Sequence, residues 1–205
     1  MRLRTEKLED RRRQIRHAAT KVFARKGYHE TRIADIAKEA GVAYGLVYHY
    51  FKNKEEILAS IFEDNWMFFV RAIQGLQADA ESTFAKRLDA CVGLMIESYR
   101  VAPDVVKVLV VEIARSPMAL DDGRMAGFRK GFLALADLIS DGQKSGHVRK
   151  NIDPTMAAFC LFGATETILT GIVLKILPAT PDNLDRIRKQ VAEIFLNGMS
   201  TGKAA

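Results

Sequence analysis

Cysteines and long apolar runs are scarce in this chain of 205 residues. Cys91 and Cys160 lie in apolar surroundings, without the spacing of a metal site or a disulfide framework. We expect both to be buried thiols in a reducing compartment. The N-terminus is highly charged, and we find no apolar run that approaches the roughly 20 residues of a membrane span. These absences predict a cytoplasmic protein without a membrane partner.

The motifs of common enzyme classes are missing as well. The sequence contains no Gly-rich phosphate loop, no nucleophile elbow and no cluster of metal ligands. Its four histidines are scattered along the chain at positions 17, 29, 49 and 147. We therefore predict no catalytic residue, no cofactor and no bound metal.

No segment shows the alternating pattern of a β-strand, whereas apolar residues recur at helical spacing throughout. We predict an all-α protein. Its charge is uneven: residues 1–54 carry 14 Lys and Arg against 6 Asp and Glu, and the remainder carries 17 against 19. A basic end joined to a nearly neutral body is typical of proteins that bind nucleic-acid phosphates.

The segment Thr31–Lys54 has the pattern of two short helices that meet at a sharp turn. Thr31 is the predicted N-cap of the first helix, and Gly41 supplies the positive φ angle of the turn. Val47 and Phe51 lie on the inward face of the second helix. Two short helices joined by a turn that contains glycine predict a helix-turn-helix.

The outward face of the second helix combines aromatic hydroxyls, an imidazole and flanking lysines. These groups can meet base edges and phosphates in a major groove. The alternative is a helical hairpin whose tyrosines pack on the rest of the protein. The residues predicted to contact DNA are Thr31, Arg32, Ala43, Tyr44, Gly45, Tyr48, His49, Lys52 and Lys54.

The stretch GYHETRIADIAKEAGVAYGLVYHYFKNKEEIL resembles the signature of the TetR family of bacterial transcriptional regulators, and the likeness runs from about Ile15 to Phe62. The resemblance implies a three-helix DNA-binding domain. One residue departs from the pattern: the family usually has serine or threonine as N-cap after the turn valine, and this chain has Ala43. Tyr44 and Leu46 occupy variable positions, so the operator sequence does not follow from the family.

We predict two domains, a DNA-binding domain at residues 1–53 and a helical ligand-binding and dimerisation domain at 54–205. Asn53 is the predicted N-cap of a helix that ends near Gly75, with Glu56 as its capping-box partner. Further helices follow Ser82, Pro103, Asp121, Pro154 and Thr180. The short helix Val105–Ala114 is apolar on nearly all sides, which predicts burial within a bundle.

Beyond residue 75 the chain resembles the TetR-family repressors of fatty-acid metabolism that bind long-chain acyl-CoA, through VVEIARSP (Val110–Pro117) and FGATETILTGIV (Phe162–Val173). Apolar side chains from five helices could line a tunnel for an acyl chain; the alternative is that they pack as core. Glu166 is either paired internally or faces a polar ligand group. The predicted ligand-binding residues are Trp66, Phe69, Met95, Tyr99, Val106, Leu109, Val110, Phe132, Phe162 and Glu166.

Basic side chains of this second domain are candidates to bind coenzyme A phosphates, although a solvated basic surface explains them equally well. They are Arg124, Arg129, Lys144, Arg149 and Lys150.

The last two helices combine small residues with an amphipathic stripe, which predicts a four-helix interface in a homodimer. The second helix of the helix-turn-helix is the predicted recognition helix. Two-fold symmetry would place the recognition helices of the two copies about 34–36 Å apart, in successive major grooves of a palindrome. The residues predicted at this interface are Phe159, Gly163, Ile168, Gly171, Ile187, Val191, Ile194 and Phe195.

These features together predict a repressor that is controlled by a small hydrophobic effector, and the resemblance implies that this effector is a long-chain acyl-CoA. One alternative is a repressor of an efflux gene that responds to xenobiotics, including aromatic cations. The scarcity of acidic residues among the predicted lining disfavours it. Another is an enzyme with an incidental helix-turn-helix, which turnover of a bound ligand would support.

Overall fold

The computed structural model describes residues 2–79, 81–113 and 122–202, with side chains in these ranges except at 2–7, 112–113 and 122–126. The described backbone is largely helical and has no β-strand, only an isolated bridge between Val148 and Ser200. The all-α prediction is confirmed. The helices are α1 (Arg2–Lys26), α2 (Ile33–Ala40), α3 (Tyr44–Tyr50), α4 (Lys54–Ala78), α5 (Phe84–Val101), α6 (Pro103–Val108), a π-helical turn (Leu109–Ile113), α7 (Asp122–Lys144), α8 (Pro154–Val173) and α9 (Pro181–Met199).

A first hydrophobic core lies between α1, α2 and α3. The first turns of α4 complete it, and α6 adds one residue to it. The division at residues 53 and 54 stays a prediction, but the packing of this core extends beyond it. Its largest members are Ile15, Phe23, Ile36, Val47, Phe51, Ile57, Leu58 and Ile61, with Val108 from α6.

The turn between α2 and α3 has the predicted geometry. Gly41 adopts the left-handed conformation, with φ 64°. The Val42 N–H donates to the Ala37 carbonyl over 3.0 Å, which satisfies one of the free carbonyls at the end of α2. The chain thus reverses direction without a strained side chain.

The prediction that Thr31 caps α2 is wrong. Arg32 holds the N-cap position, and its backbone N–H donates to the Asp35 carboxylate over 3.0 Å. Lys26 binds the same carboxylate over 2.7 Å, and this hydrogen bond lowers the pKa of Asp35. The Thr31 hydroxyl is buried and donates to the Gly27 carbonyl over 2.7 Å.

The cap of α4 is close to the prediction. The Asn53 side chain accepts the Glu56 N–H over 2.8 Å. The Glu56 carboxylate accepts the N–H of Lys52 over 2.6 Å instead of that of Asn53, so the reciprocal half of the capping box is displaced by one residue. The helix continues to Ala78, beyond the predicted end at Gly75.

A second hydrophobic core fills the bundle of α5, α7, α8 and α9. Leu88, Leu138 and Leu161 are among its fully or nearly fully buried members. Cys91 also lies there, and burial raises the pKa of its thiol to about 12. Cys160 lies on the exposed side of α8, so the prediction of two buried thiols is wrong for this residue.

The predicted helix Val105–Ala114 begins earlier and changes its winding. It starts at Pro103, and the π-helical turn replaces the α-helix from Leu109. Residue 114 and those that follow, to 121, lie outside the described ranges. Val106 and Val108 are buried, whereas Lys107 is exposed.

By length and composition α8 could cross a membrane, since an 18-residue window has a mean hydropathy of 1.7. The prediction that no apolar run is long enough is therefore wrong by this criterion. The core helices of bundles satisfy the same test, and α8 packs against α7 and α5.

Candidate DNA-binding surface and ligand cavity

The outer face of α3 presents two tyrosines to solvent. Tyr44 is 54% exposed and Tyr48 is 46% exposed, while Val47 between them is fully buried in the first core. Ala43, Gly45, His49 and Lys52 are exposed beside them, as is Arg32 at the start of α2. Seven of the residues predicted to contact DNA thus have surface available to a duplex.

The two tyrosines are paired. Their hydroxyl oxygens lie 3.2 Å apart, and their ring centroids lie 5.3 Å apart in an edge-to-face arrangement. The hydrogen bond with Tyr44 raises the pKa of Tyr48 above its ordinary value. The Tyr48 hydroxyl therefore stays protonated at neutral pH. The hydroxyl groups of both tyrosines can take part in hydrogen bonds with base edges or phosphates.

Lys54 and Thr31, which were also predicted to contact DNA, are engaged within the chain. The Lys54 ammonium group donates to the carbonyls of Tyr28 (2.7 Å), Thr31 (3.0 Å) and His29 (3.2 Å), and lies 4.4 Å from the Tyr28 ring centroid. All three of its hydrogens are engaged. The Thr31 side chain is buried, and its carbonyl accepts one of these hydrogen bonds. In this structure both residues connect α4 to the loop before α2.

A cavity of about 600 Å³ lies between α4, α5, α6 and α8. Of the predicted ligand-binding residues it is lined by Trp66, Phe69, Met95, Val106, Leu109, Val110, Phe162 and Glu166. Tyr99 and Phe132 do not line it; both pack beside it in the hydrophobic clusters. Its size falls within the range of small-molecule sites in proteins.

Several lining residues were missed by the sequence reasoning. Phe62 and Phe68 lie on the apolar stripe of α4, and the same stripe was the available signal for them. Leu94, Val101 and Leu169 carried no signal that separates a cavity wall from core. The further lining residues are Asn65, Ala72, Glu97, Ser98, Ala102, Val105 and Phe128.

Stacked aromatic rings form one wall of the cavity. The rings of Trp66 and Phe128 are parallel within 3°, with centroids 4.5 Å apart. The Trp66 indole N–H donates to the Gly127 carbonyl over 2.8 Å. Gly131 makes this approach possible, because a Cβ atom there would lie 2.3 Å from the Trp66 ring. The indole is thus held against the backbone of α7.

The aromatic cluster continues from this wall to the outer surface. Phe132 packs against Trp66 and Phe162, and its other side stacks on Phe159 with centroids 4.0 Å apart. Phe159 is 52% exposed. One continuous set of rings therefore joins the cavity wall to the exposed side of α8.

The basic residues proposed for coenzyme A phosphates are dispersed. Lys144 is at the opposite end of α7 from Phe128, about 24 Å along the helix axis, where it binds Asp141. Arg149 binds the Gly198 carbonyl near the end of α9. Neither lines the cavity, and the Arg124 side chain lies outside the described residues.

The exposed side of α8 and α9 carries large apolar residues. Phe159 is 52% and Ile194 is 66% exposed, and Met156 is exposed beside them. Gly163, Ile168, Gly171 and Phe195 are partly buried. Ile187 and Val191, which were predicted at a dimer interface, instead pack in the second core of the chain itself, because they face α5 and not solvent.

The fold and these two sites define a transcriptional regulator with a helix-turn-helix and a helical domain that contains a cavity. The chain belongs to the tetR family of bacterial regulatory proteins, whose model matches residues 15–61. A second model, the C-terminal region of YsiA-like proteins, matches residues 62–198.

Relatives support the same conclusion along nearly the whole chain. The fatty acid metabolism regulator protein of Bacillus subtilis is 31% identical over 190 residues, 91% of this chain and 94% of that protein. The fatty acid degradation regulator FadR of Bacillus halodurans superposes with a TM-score of 0.83 at 28% identity, over 92% of this chain and 95% of that one. FadR of B. subtilis in complex with stearoyl-CoA superposes with a TM-score of 0.79 at 26% identity, over 91% and 98%. These relatives are named as regulators, and none of the names indicates an enzyme.

Proposed function

We propose that this protein is a cytoplasmic repressor that binds a palindromic operator as a homodimer and releases it when a long-chain acyl-CoA enters the cavity. The observation that carries the proposal is the apolar cavity of about 600 Å³, lined by aromatic and aliphatic side chains of α4 and α6. The stearoyl-CoA complex of the B. subtilis relative supports the ligand class.

Two of the helices that line the cavity, α4 and α6, also pack in the first core. α4 contributes Ile57 and Ile61 to the core and Trp66 to the cavity. α6 contributes Val108 to the core, and Val105 and Val106 line the cavity. A ligand that shifts either helix must therefore change the packing beneath α3.

A hydrogen bond strengthens the connection through α6. The Lys107 ammonium group donates to the Ala24 carbonyl of α1 over 2.5 Å. The effector would weaken DNA binding by binding more tightly to the arrangement of α4 and α6 that holds the recognition helices at the wrong spacing.

The test is an operator-release titration with the full chain. An operator is first selected from random-sequence duplexes, and release of the labelled duplex is followed by fluorescence anisotropy. Trp66 is the only tryptophan in the sequence, so its fluorescence reports ligand binding in the same samples. Palmitoyl-CoA should quench or shift this fluorescence and release the duplex over the same concentration range. Ligand binding without release would contradict the proposed mechanism.

A second candidate effector is a lipophilic cation, as in a regulator that senses xenobiotics. The predicted scarcity of acidic residues does not hold for the lining, since Glu97 and Glu166 both belong to it. Aromatic rings and carboxylates together are suited to bind a cation. Release of the operator by hexadecyltrimethylammonium, and not by palmitoyl-CoA, would favour this candidate.

A further inference from the structure

In the part of the chain that the structure describes, the charged side chains that line the cavity are all acidic. Among its described lining residues there are two carboxylates, Glu97 and Glu166, and no lysine, arginine or histidine. Glu97 is compensated by Arg100, whose Nε lies 3.3 Å from its Oε2. Glu166 forms no ion pair with the described residues, so its negative charge acts on whatever occupies the cavity.

The only polar contact that the described structure gives the Glu166 carboxylate is a weak one. The Thr170 Oγ1 lies 3.4 Å from its Oε1, but the same hydroxyl is closer to the Glu166 carbonyl oxygen, at 3.0 Å. A hydroxyl has a single hydrogen to donate. The carboxylate therefore retains free acceptor positions.

The side-chain donors of the lining are largely engaged. The Ser98 hydroxyl donates to the Met95 carbonyl over 2.6 Å, and the Asn65 amide donates to the Ile61 carbonyl over 2.7 Å. The Trp66 indole N–H is bound to Gly127. One hydrogen of the Asn65 amide remains among these groups. The described lining is thus rich in hydrogen-bond acceptors and poor in donors.

Such a lining discriminates between forms of a fatty acyl group. A free carboxylate would bring a second negative charge beside Glu166 in an apolar space, where like charges repel strongly. A free carboxylate would also find few hydrogen-bond donors among the described lining residues. A thioester or amide carries no charge at the same position, and the amide N–H groups of a pantetheine arm can donate to a carboxylate.

We infer, on the basis of the function proposed above, that Glu166 selects against free carboxylates. The cavity admits an acyl chain whose carboxyl group is masked as a thioester or amide, and Glu166 accepts a hydrogen bond from an N–H group of the masked head.

The experiment compares the wild-type chain with Glu166→Gln, which keeps the shape of the side chain and removes its charge. Glu81→Gln, an exposed position in the loop between α4 and α5, is the matched control. Binding of palmitoyl-CoA, palmitate and hexadecyltrimethylammonium is measured by Trp66 fluorescence, with each probe below its critical micelle concentration. Thermal melting verifies that the variants are folded.

Glu166→Gln should tighten palmitate binding by about tenfold or more and weaken binding of the cation. Its affinity for palmitoyl-CoA should change by no more than about threefold, because the amide oxygen of glutamine still accepts a hydrogen bond. The control should bind all three probes as the wild type does.

The two proposals can fail separately. If palmitoyl-CoA binds but palmitate affinity is the same in the wild type and Glu166→Gln, the selection by Glu166 is overturned and the proposed function stands. If the wild type does not bind palmitoyl-CoA, the proposed effector is overturned. The role of Glu166 is then judged from the ratio of the palmitate affinity to the cation affinity. A higher ratio in Glu166→Gln than in the wild type supports selection against carboxylates by Glu166, and an unchanged ratio overturns it. Failure of all three probes to bind overturns both.

Discussion

At the residue scale, the Tyr44 and Tyr48 hydroxyls share one hydrogen bond on the outer face of α3. One hydroxyl donates to the other, so a single hydroxyl hydrogen is left for DNA, together with lone pairs on both oxygens. Two side chains linked in this way form one polar unit, and a change in either alters what the other can offer to a base edge or phosphate.

We predict that Tyr44→Phe and Tyr48→Phe each weaken operator binding by about 1 kcal/mol. The double variant should lose less than the sum of the two, by about 0.5 kcal/mol or more. The measurement is a double-mutant cycle by fluorescence anisotropy on the selected operator. Strict additivity would mean that the two hydroxyls contact DNA independently.

Two lysines near the end of α3 differ in what holds them. The Lys54 ammonium group is bound by three carbonyls of residues 28, 29 and 31. Lys52 is exposed, and no hydrogen bond or ion pair of its ammonium group occurs in the described structure. The first lysine therefore stabilises the fold, and the second is available to a phosphate.

We predict that Lys54→Met lowers the free energy of unfolding by about 1–3 kcal/mol, because it removes hydrogen bonds from a charged donor. Lys52→Met should change this stability by less than about 0.5 kcal/mol. Lys52→Met should instead weaken DNA binding equally on all DNA sequences. It should also reduce the steepness with which the logarithm of the DNA-binding constant falls with the logarithm of salt concentration, by about one.

Urea denaturation and salt-dependent DNA titrations of the two variants distinguish these roles. If Lys54→Met leaves the free energy of unfolding unchanged but reduces the salt dependence of DNA binding, Lys54 contacts a phosphate.

At the scale of the element, α3 is a short helix without a side-chain cap. Ala43 holds its N-cap position in an extended conformation, with φ −64° and ψ 141°, and offers no oxygen to the first turn. Since this backbone already has the geometry of a cap, a hydroxyl there would need no rearrangement. The recognition helix is therefore less stable than its position permits.

We predict that Ala43→Ser stabilises the protein by about 0.5–2 kcal/mol, as measured by urea denaturation. The matched control is Ala34→Ser on the exposed side of α2, where serine should be neutral or slightly unfavourable. An equal effect at the two positions would show that the gain does not come from capping α3.

At the scale of the whole molecule, the exposed apolar side of α8 and α9 lies next to the aromatic cluster of the cavity. Phe159 belongs to this side and stacks on Phe132, which packs against Trp66. Exposed aromatic and aliphatic residues grouped on one side are typical of an interface. A second copy of the chain would cover them, as the proposed homodimer requires.

We predict that Phe159→Glu and Ile194→Glu convert the dimer to a monomer, because each buries an unpaired charge at the interface. Operator affinity should fall with the dimer, while ligand binding to the cavity should persist for Ile194→Glu. Met67→Glu, at an exposed position of α4 that does not line the cavity, should leave the oligomeric state unchanged. Sedimentation velocity measures all three, and a wild-type monomer at micromolar concentration would contradict the two-fold arrangement.

Much of this architecture was predictable because its causes lie close together in the sequence. The turn at Gly41, the Asn53 cap and the apolar stripe of α4 each depend on residues within one or two helical turns. The same local character explains the errors. Thr31 looks like a cap in sequence, but its hydroxyl donates to Gly27 four residues earlier.

The sequence by itself determined the helices, the helix-turn-helix and the family, since local periodicity, turn residues and a contiguous signature specify them. Only the tertiary structure decided which sides of those helices meet. It engaged the Lys54 ammonium group with carbonyls more than twenty residues away and buried Ile187 and Val191. It also left Glu166 in the cavity with no cationic partner among the described side chains. An amphipathic helix specifies that one side is buried, but the partner that buries it depends on how the other helices pack.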